Sequence, residues 1–218
     1  MARVERRPDG GPGEVRVHVD DPKAAATIAT ALRHYGPEAV HGADALLLLC
    51  IGTDRSIGDA LGPLVGTFLE ESGPHPFRVL GTLDRPVHAG NLAETVSEIG
   101  RTYRRPAVVA VDACLGRAES VGHITVAPGP LRPGAGVNKE LPGVGDVHIT
   151  GIVNVGGFME YFVLQNTRLS LVMRMARRVA DGVLVGMRSL SRYLAAGTRA
   201  LPAPGATPSS LTSKSRDG

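Results

Sequence analysis

Residues 45–63 read ALLLLCIGTDRSIGDALGP, an unbroken apolar run followed by a glycine-rich loop that carries two aspartates. A continuous apolar run is typical of a strand that is buried on both faces of a parallel sheet. The segment that begins at Asp59 predicts a helix, with Pro63 in its first turn and Gly73 as its C-cap. Asp54 and Asp59 therefore lie where they serve a turn, a helix cap or a functional site.

The rest of the chain alternates predicted strands and helices around that loop. The apolar run PAVVAVDACL, at 106–115, predicts a second central strand. Shorter strands are predicted at 14–20, which should form an edge of the sheet, and at 78–83, 122–128 and 147–156. Helices are predicted at 21–36, 59–73, 89–101 and 157–195, and the last should have a break near Asn166 and Thr167. This pattern predicts one α/β domain over residues 14–198, a three-layer sandwich with a mostly parallel central sheet. Residues 1–13 and 199–218 are predicted to be disordered tails.

The composition excludes several classes of protein. The chain has 218 residues, of which 43% are hydrophobic, and a net charge of +3 from scattered basic residues, so we expect no nucleic-acid binding. Cys50 and Cys114 both lie in apolar runs, which favours a reducing compartment over a disulfide framework. No apolar segment approaches the roughly 20 residues of a membrane span, and the N-terminus does not resemble a signal peptide. We expect a soluble cytoplasmic protein.

The common nucleotide, hydrolase and zinc motifs are absent from the sequence. There is no phosphate loop, no Gly-x-Gly-x-x-Gly at a strand-to-helix turn, no Gly-x-Ser-x-Gly and neither His-Glu-x-x-His nor Cys-x-x-Cys. What remains is a pair of aspartates, Asp59 after the first central strand and Asp112 at the end of the second. In α/β sheets of this type, ligands bind at the carboxyl ends of the strands.

Two neighbouring strands would bring Asp59 and Asp112 to one cleft. Close carboxylates repel, so the pKa of one rises and the pair shares a proton, which suits it to activate water and protonate a leaving amine. The same oxygens suit a divalent metal ion. The alternatives are structural: Asp59 as a helix cap and Asp54 in an Asx-turn. A carboxylate at the end of an apolar strand, such as Asp112, is costly unless it is paired or exposed in a site.

Four segments resemble the YyaC-type sporulation proteins over roughly residues 40–185. They are GTDRSIGDALGP, VVAVDACLG, PGAGVNKELPGVGDVHITGIVN and GGFMEYFVLQNTRLSLVMRMA. That family is similar to the germination protease that degrades small acid-soluble spore proteins and, more distantly, to hydrogenase maturation endopeptidases. The resemblance implies a phosphorylase/hydrolase-like α/β fold and a sporulation-associated peptidase of the forespore or spore interior.

The resemblance also implies roles for individual residues. The aspartates that are essential in the germination protease match Asp59 in DALGP and Asp112 in VDACL, as catalytic residues. Asn138, Lys139 and Glu140 match a loop that lines the cleft, and with Asp54 they are predicted to bind the peptide substrate, such as a small spore protein.

Two other functions stay open. A non-catalytic protein that binds peptides ranks second. A metal-dependent maturation endopeptidase ranks third, because His123 and His148 begin predicted strands and would lie at the amino edge of a parallel sheet, away from the cleft. We therefore predict no metal and no cofactor, and leave the oligomeric state open.

Overall fold

A computed structural model describes residues 3–5, 13–133 and 143–199 of the chain. These residues form a seven-stranded sheet in the order β1-β2-β6-β7-β5-β3-β4. The strands are β1 (Arg3–Glu5), β2 (Glu14–His18), β3 (Ala45–Cys50), β4 (Arg78–Leu80), β5 (Pro106–Gly116), β6 (His123–Pro128) and β7 (Val147–Val155). The helices are α1 (Ala24–Val40), α2 (Leu61–Glu71), α3 (Leu92–Thr102), α4 (Glu160–Gln165) and α5 (Leu169–Arg199), so the predicted break near Asn166 is confirmed.

The sheet is mixed, with five of its seven strands running in one direction. β4, β3, β5 and β7 pair in parallel, whereas β6 is antiparallel to both β7 and β2, and β1 is antiparallel to β2. The β5–β6 connection is too short for a crossover helix, so β6 runs back along the sheet. The mostly parallel α/β sandwich is confirmed. The prediction that 14–20 is an edge strand is wrong, because β2 has a neighbour on each side.

The two faces of the sheet carry cores of different size. The larger core packs α1, α2 and α5 on one face and contains the side chains of Leu46, Leu48, Val109 and Val111. The smaller core, on the other face, joins residues such as Leu49 and Ala110 to α3. The predicted three layers therefore arise from the alternation of inward positions along β3 and β5.

Helix α1 does not end at Gly36, as its sequence predicts, but continues through Pro37 to Val40. A Cβ atom on Gly36 would lie 2.5 Å from the Cδ1 atom of Leu190 on α5. Gly36 therefore permits close helix packing here instead of terminating the helix. None of the helices in the described ranges combines the length and the apolar character that a membrane span requires.

Two glycines bring the start of α2 against the end of β3. Gly52 has a φ of 140°, and a Cβ atom on it would overlap the carbonyl oxygen of Asp59. A Cβ atom on Gly62 would overlap the carbonyl oxygen of Ile51. Backbone approaches this close exclude any side chain, so these glycines fix the position of the loop that carries Asp59.

Candidate functional site

The site lies at the carboxyl ends of β5, β3 and β4, three parallel neighbours. Cys50 pairs with Val111, and the backbone N–H of Ile51 donates to the Val111 carbonyl oxygen at 2.7 Å. Asp112, the next residue on β5, is therefore level with the point where β3 leaves the sheet. The prediction that the two central strands are neighbours is confirmed.

Asp59 lies in a 3₁₀ turn, Gly58–Ala60, between β3 and α2. The N-cap of α2 is Ala60, and no side chain caps this helix. The Asp59 carbonyl oxygen accepts the N–H of Thr53 at 3.1 Å, which closes the loop. The interpretation of Asp59 as a helix cap is therefore wrong, and its carboxylate is left for another role.

The two aspartates interact electrostatically, and the pKa of each is raised. Burial raises the pKa of Asp112 well above 3.8 and the charge of Asp59 raises it further, against a hydrogen bond from the N–H of Ala113. Burial also raises the pKa of Asp59, but a hydrogen bond from the Thr53 backbone and the charge of His88 oppose that rise. The pair is therefore unequal, and Asp112 is the carboxyl that keeps its proton to the higher pH.

His88 is a site residue that the sequence analysis missed. It follows Val87, which forms a parallel bridge with Ile51 and accepts the N–H of Gly52 at 2.8 Å. The backbone N–H of Gly90 donates to the His88 Nδ1 atom at 3.1 Å. The rule that ligands bind at the carboxyl ends of strands applies to this residue too, because it lies just beyond the predicted strand at 78–83.

A cavity of about 270 Å³ encloses both carboxylates. Its wall is formed by the ends of β3 and β5, by the loop after β3, by the segment around His88 and by α4. The lining residues are Ile51, Gly52, Thr53, Arg55, Ser56, Asp59, His88, Ala89, Gly90, Asp112, Ala113, Cys114, Leu115, Pro133, Tyr161 and Leu164. Most of this wall is apolar, so charges inside it are poorly solvated.

The 3₁₀ turn of Asp59 is covered by α4. A Cβ atom on Gly58 would lie 2.8 Å from the Cδ2 atom of Leu164 and 2.9 Å from the Oγ1 atom of Thr167. No residue of α4 was predicted to lie at the site, because a six-residue helix after a glycine pair gives no sign of what it packs against. Tyr161 and Leu164 on this helix line the cavity.

Of the four predicted substrate-binding residues, only Asp54 belongs to the described part of the chain. Asp54 is exposed, lies outside the cavity wall and makes one long contact with the Thr53 hydroxyl, at 3.5 Å. Asn138, Lys139 and Glu140 lie outside the described residues, so their role stays a prediction. Pro133, which precedes that segment, does line the cavity.

The two histidines that were predicted to lie away from the cleft differ from one another. His148 lies near the start of β7, at the amino edge, where its Nδ1 atom is 2.9 Å from the Gly129 carbonyl oxygen. The placement of His123 at that edge is wrong, because β6 is antiparallel and its first residue lies at the carboxyl edge. His123 is nevertheless two strands from β5 and contacts the ring of His18.

A metal centre would need a third ligand beside the two aspartates. Within residues 13–133 and 143–199, no three His, Cys, Asp or Glu side chains are arranged to hold a metal ion. The described residues do provide two interacting carboxyl groups that line one mostly apolar cavity.

The fold and site together define an α/β protein with a buried carboxylate pair at the carboxyl ends of its parallel strands. Residues 16–182 match the family described as "Protein of unknown function (DUF1256)", and the chain belongs to that family. The chain is also 59% identical over 138 residues to "Uncharacterized protein YyaC" of Bacillus subtilis (strain 168). The aligned region covers 63% of this chain and 67% of that protein. The resemblance to the YyaC-type proteins is thereby confirmed.

Among solved structures, the chain is similar to the NiFe hydrogenase maturation protease HycI from Thermococcus kodakarensis KOD1. The similarity has a TM-score of 0.44 and 19% sequence identity, and covers 73% of this chain and 97% of that one. At this TM-score the likeness is weak.

Proposed function

We propose that this protein is a sporulation-associated peptidase in which Asp59 and Asp112 activate water for peptide-bond hydrolysis. The observation that carries the proposal is the charge of Asp59 raising the pKa of a fully buried Asp112 within one cavity. Such a pair holds one proton between two carboxyl groups, as acid–base hydrolysis of an amide requires.

The difference in burial assigns a role to each carboxyl. Asp59 is the more readily ionised, because His88 and the Thr53 backbone favour its charged form, so it accepts a proton from the attacking water. Asp112 holds its proton and gives it to the amide nitrogen as the carbon–nitrogen bond breaks. After one turnover the proton on Asp59 replaces the one lost from Asp112.

The proposed substrate is a small acid-soluble spore protein. Support for it comes from the resemblance of DALGP and VDACL to segments of the germination protease, which degrades such proteins. The cavity, at about 270 Å³, holds only a few atoms of a chain on either side of the cleaved bond. We therefore expect an unfolded or extended substrate segment and cleavage at few positions.

The experiment compares cleavage of purified small acid-soluble spore proteins by the wild type, Asp59→Asn and Asp112→Asn. Asp181→Asn, an exposed residue of α5, is the matched control. Loss of a catalytic acid or base lowers the rate by about 10²–10⁴-fold, so both site variants should lose nearly all cleavage while the control keeps it. Cleavage that survives both site substitutions would remove the proposed roles.

The second candidate is a protein that binds peptides without cleaving them. It is favoured by an apolar surface beside the cavity, where the exposed fractions of Phe158, Tyr161 and Phe162 are 91%, 59% and 54%. Tyr161 belongs to both the surface and the cavity wall. Calorimetry with the same spore proteins separates the two functions, since binding by the wild type without any turnover would favour this candidate.

A further inference from the structure

Ser56 is buried, although its neighbours in the loop between β3 and the turn of Asp59 are exposed. Asp54, Arg55 and Ile57 are all exposed, whereas only 7% of Ser56 is accessible. The residue lines the same cavity as Asp59 and Asp112. Ser56 thus combines burial with a place in the cavity wall, whereas Arg55, which also lines the cavity, is exposed.

The Ser56 hydroxyl makes no hydrogen bond within the described part of the chain, and its Oγ atom is shielded from solvent. Buried hydroxyl groups nearly always have a partner, because leaving one unpaired forfeits the bonds it would make with water. An alanine would fill the same space without that cost. The packing and the hydrogen bonding of the free protein therefore give no reason for a hydroxyl at this position.

We propose that the Ser56 hydroxyl donates a hydrogen bond to the carbonyl oxygen of the peptide bond that is cleaved. The inference rests on the proposed peptidase function and adds a catalytic residue to it. The proposal requires the hydroxyl to turn from its shielded position into the cavity. Rotation about the Cα–Cβ bond moves the Oγ atom among three staggered positions and needs no movement of the backbone.

The chemistry of the aspartate pair leaves a need for this donor. Water attack forms a bond to the carbonyl carbon, moves the π electron pair onto the carbonyl oxygen and transfers one water proton to Asp59. When the carbon–nitrogen bond breaks, the electron pair re-forms the carbonyl and the nitrogen takes the proton of Asp112. Between these steps the oxygen carries negative charge that neither carboxyl neutralises, and a donor in a poorly solvated cavity stabilises it.

Other polar groups of the wall are already engaged or carry charge. The Thr53 hydroxyl oxygen accepts the N–H of Arg55 at 3.3 Å. The Cys114 thiol makes a hydrogen bond with the side chain of Thr150. His88 acts on Asp59 through its charge. Ser56 therefore offers a neutral donor whose bonding capacity the free protein does not use.

The test measures kcat, KM and the urea midpoint of unfolding for the wild type and for Ser56→Ala, with small acid-soluble spore protein as substrate. Ser97→Ala, at an exposed position of α3, is the matched control. Loss of one oxyanion donor lowers kcat by about 100-fold, with KM changed by less than about twofold, because the bond forms fully only in the transition state. The urea midpoint of Ser56→Ala should equal or exceed that of the wild type, because no native hydrogen bond is lost.

The outcomes separate this inference from the proposal on which it rests. Wild-type cleavage with an unchanged kcat in Ser56→Ala overturns the role of Ser56 and leaves the peptidase function intact. A loss of kcat that comes with a lower urea midpoint also overturns it, since the hydroxyl would then be structural. Absence of cleavage by the wild type removes the peptidase function and this inference together.

Discussion

Replacing Gly52 by alanine should damage this protein more than the same change at Gly73, although both glycines have positive φ angles, 140° and 102°. A Cβ atom on Gly73 meets no atom within 4 Å. A Cβ atom on Gly52 overlaps the Asp59 carbonyl oxygen and lies 3.0 Å from the Cδ atom of Pro63. The pair of variants separates backbone strain from the close approach that positions the loop carrying Asp59.

The expected magnitudes follow from these contacts. Gly73→Ala costs only the left-handed backbone, about 1–2 kcal/mol of unfolding free energy. Gly52→Ala has two further costs in unfolding free energy. Displacement of the Asp59 backbone costs about 1–3 kcal/mol, as in overpacked cores. Loss of the 3.1 Å hydrogen bond that the Thr53 N–H donates to the Asp59 carbonyl oxygen costs about 1 kcal/mol. We therefore expect about 3–6 kcal/mol in total for Gly52→Ala, a fall in Tm of roughly 6–24 °C in a chain of this size.

The assay is urea unfolding of both variants at one pH, with cleavage measured below the unfolding transition. Gly52→Ala should lose activity even while folded, because the relief of the overlap moves Asp59, whereas Gly73→Ala should keep it. Equal losses of stability in the two variants would refute the argument that Gly52 is required by the approach of the Asp59 backbone.

Three further predictions concern ionisation at the site. Burial and the charge of Asp59 raise the pKa of Asp112 from 3.8, so the folded state binds this proton more tightly than the unfolded chain does. The free energy of unfolding of the wild type should therefore fall as the pH rises from about 4 through the raised pKa. Asp112→Asn lacks that fall, so in urea unfolding its stability relative to the wild type should rise with pH; a pH-independent difference would contradict this. His88→Gln removes a charge that lowers the pKa of Asp59, so the acidic limb of the pH–rate profile should move to higher pH. If the acidic limb does not move, the electrostatic interaction between His88 and Asp59 is excluded. Burial and the charge of Asp112 raise the pKa of the Cys114 thiol to about 11. Iodoacetamide should therefore modify this thiol slowly at pH 8 in the native protein and quickly in urea. Rapid modification of the native protein would refute the burial of the thiol.

The sheet and the aspartate pair were predictable because each depends on a local pattern. The apolar runs of β3 and β5 are continuous, as parallel strands buried on both faces require. Once two such strands are neighbours, the residues that follow them share an edge, whichever helices connect them. That is why Asp112 and Asp59 could be placed in one cleft before any coordinates were known, although the pattern did not distinguish a helix cap from a free carboxylate.

What the sequence did not reveal depends on contacts between distant segments. Gly36 followed by Pro37 is a normal stop signal, and packing of α1 against Leu190 on α5 overrides it. The direction of β6 depends on whether residues 117–122 form a crossover or a turn, and the side of the sheet on which His123 lies depends on that choice. His88 belongs to none of the segments quoted above, and Ser56 lies in one of them, GTDRSIGDALGP, where nothing in the pattern marks it as part of a site. They join the cavity wall because β4 pairs with β3 and because the loop after β3 folds inward.

The position of each aspartate in the fold determines which of the two would act as the base in the proposed reaction. Asp112 belongs to β5, which pairs with a strand on each side, and burial of its side chain favours the neutral form. Asp59 belongs to a turn beside His88, where the charge of that residue and the Thr53 backbone partly offset the cost of burial. These surroundings belong to positions 59 and 112 of the fold and not to the aspartate side chains, which are chemically identical. The asymmetry of the pair is therefore a property of the strand and the loop, and any catalysis by this site should depend on the loop keeping Asp59 beside His88.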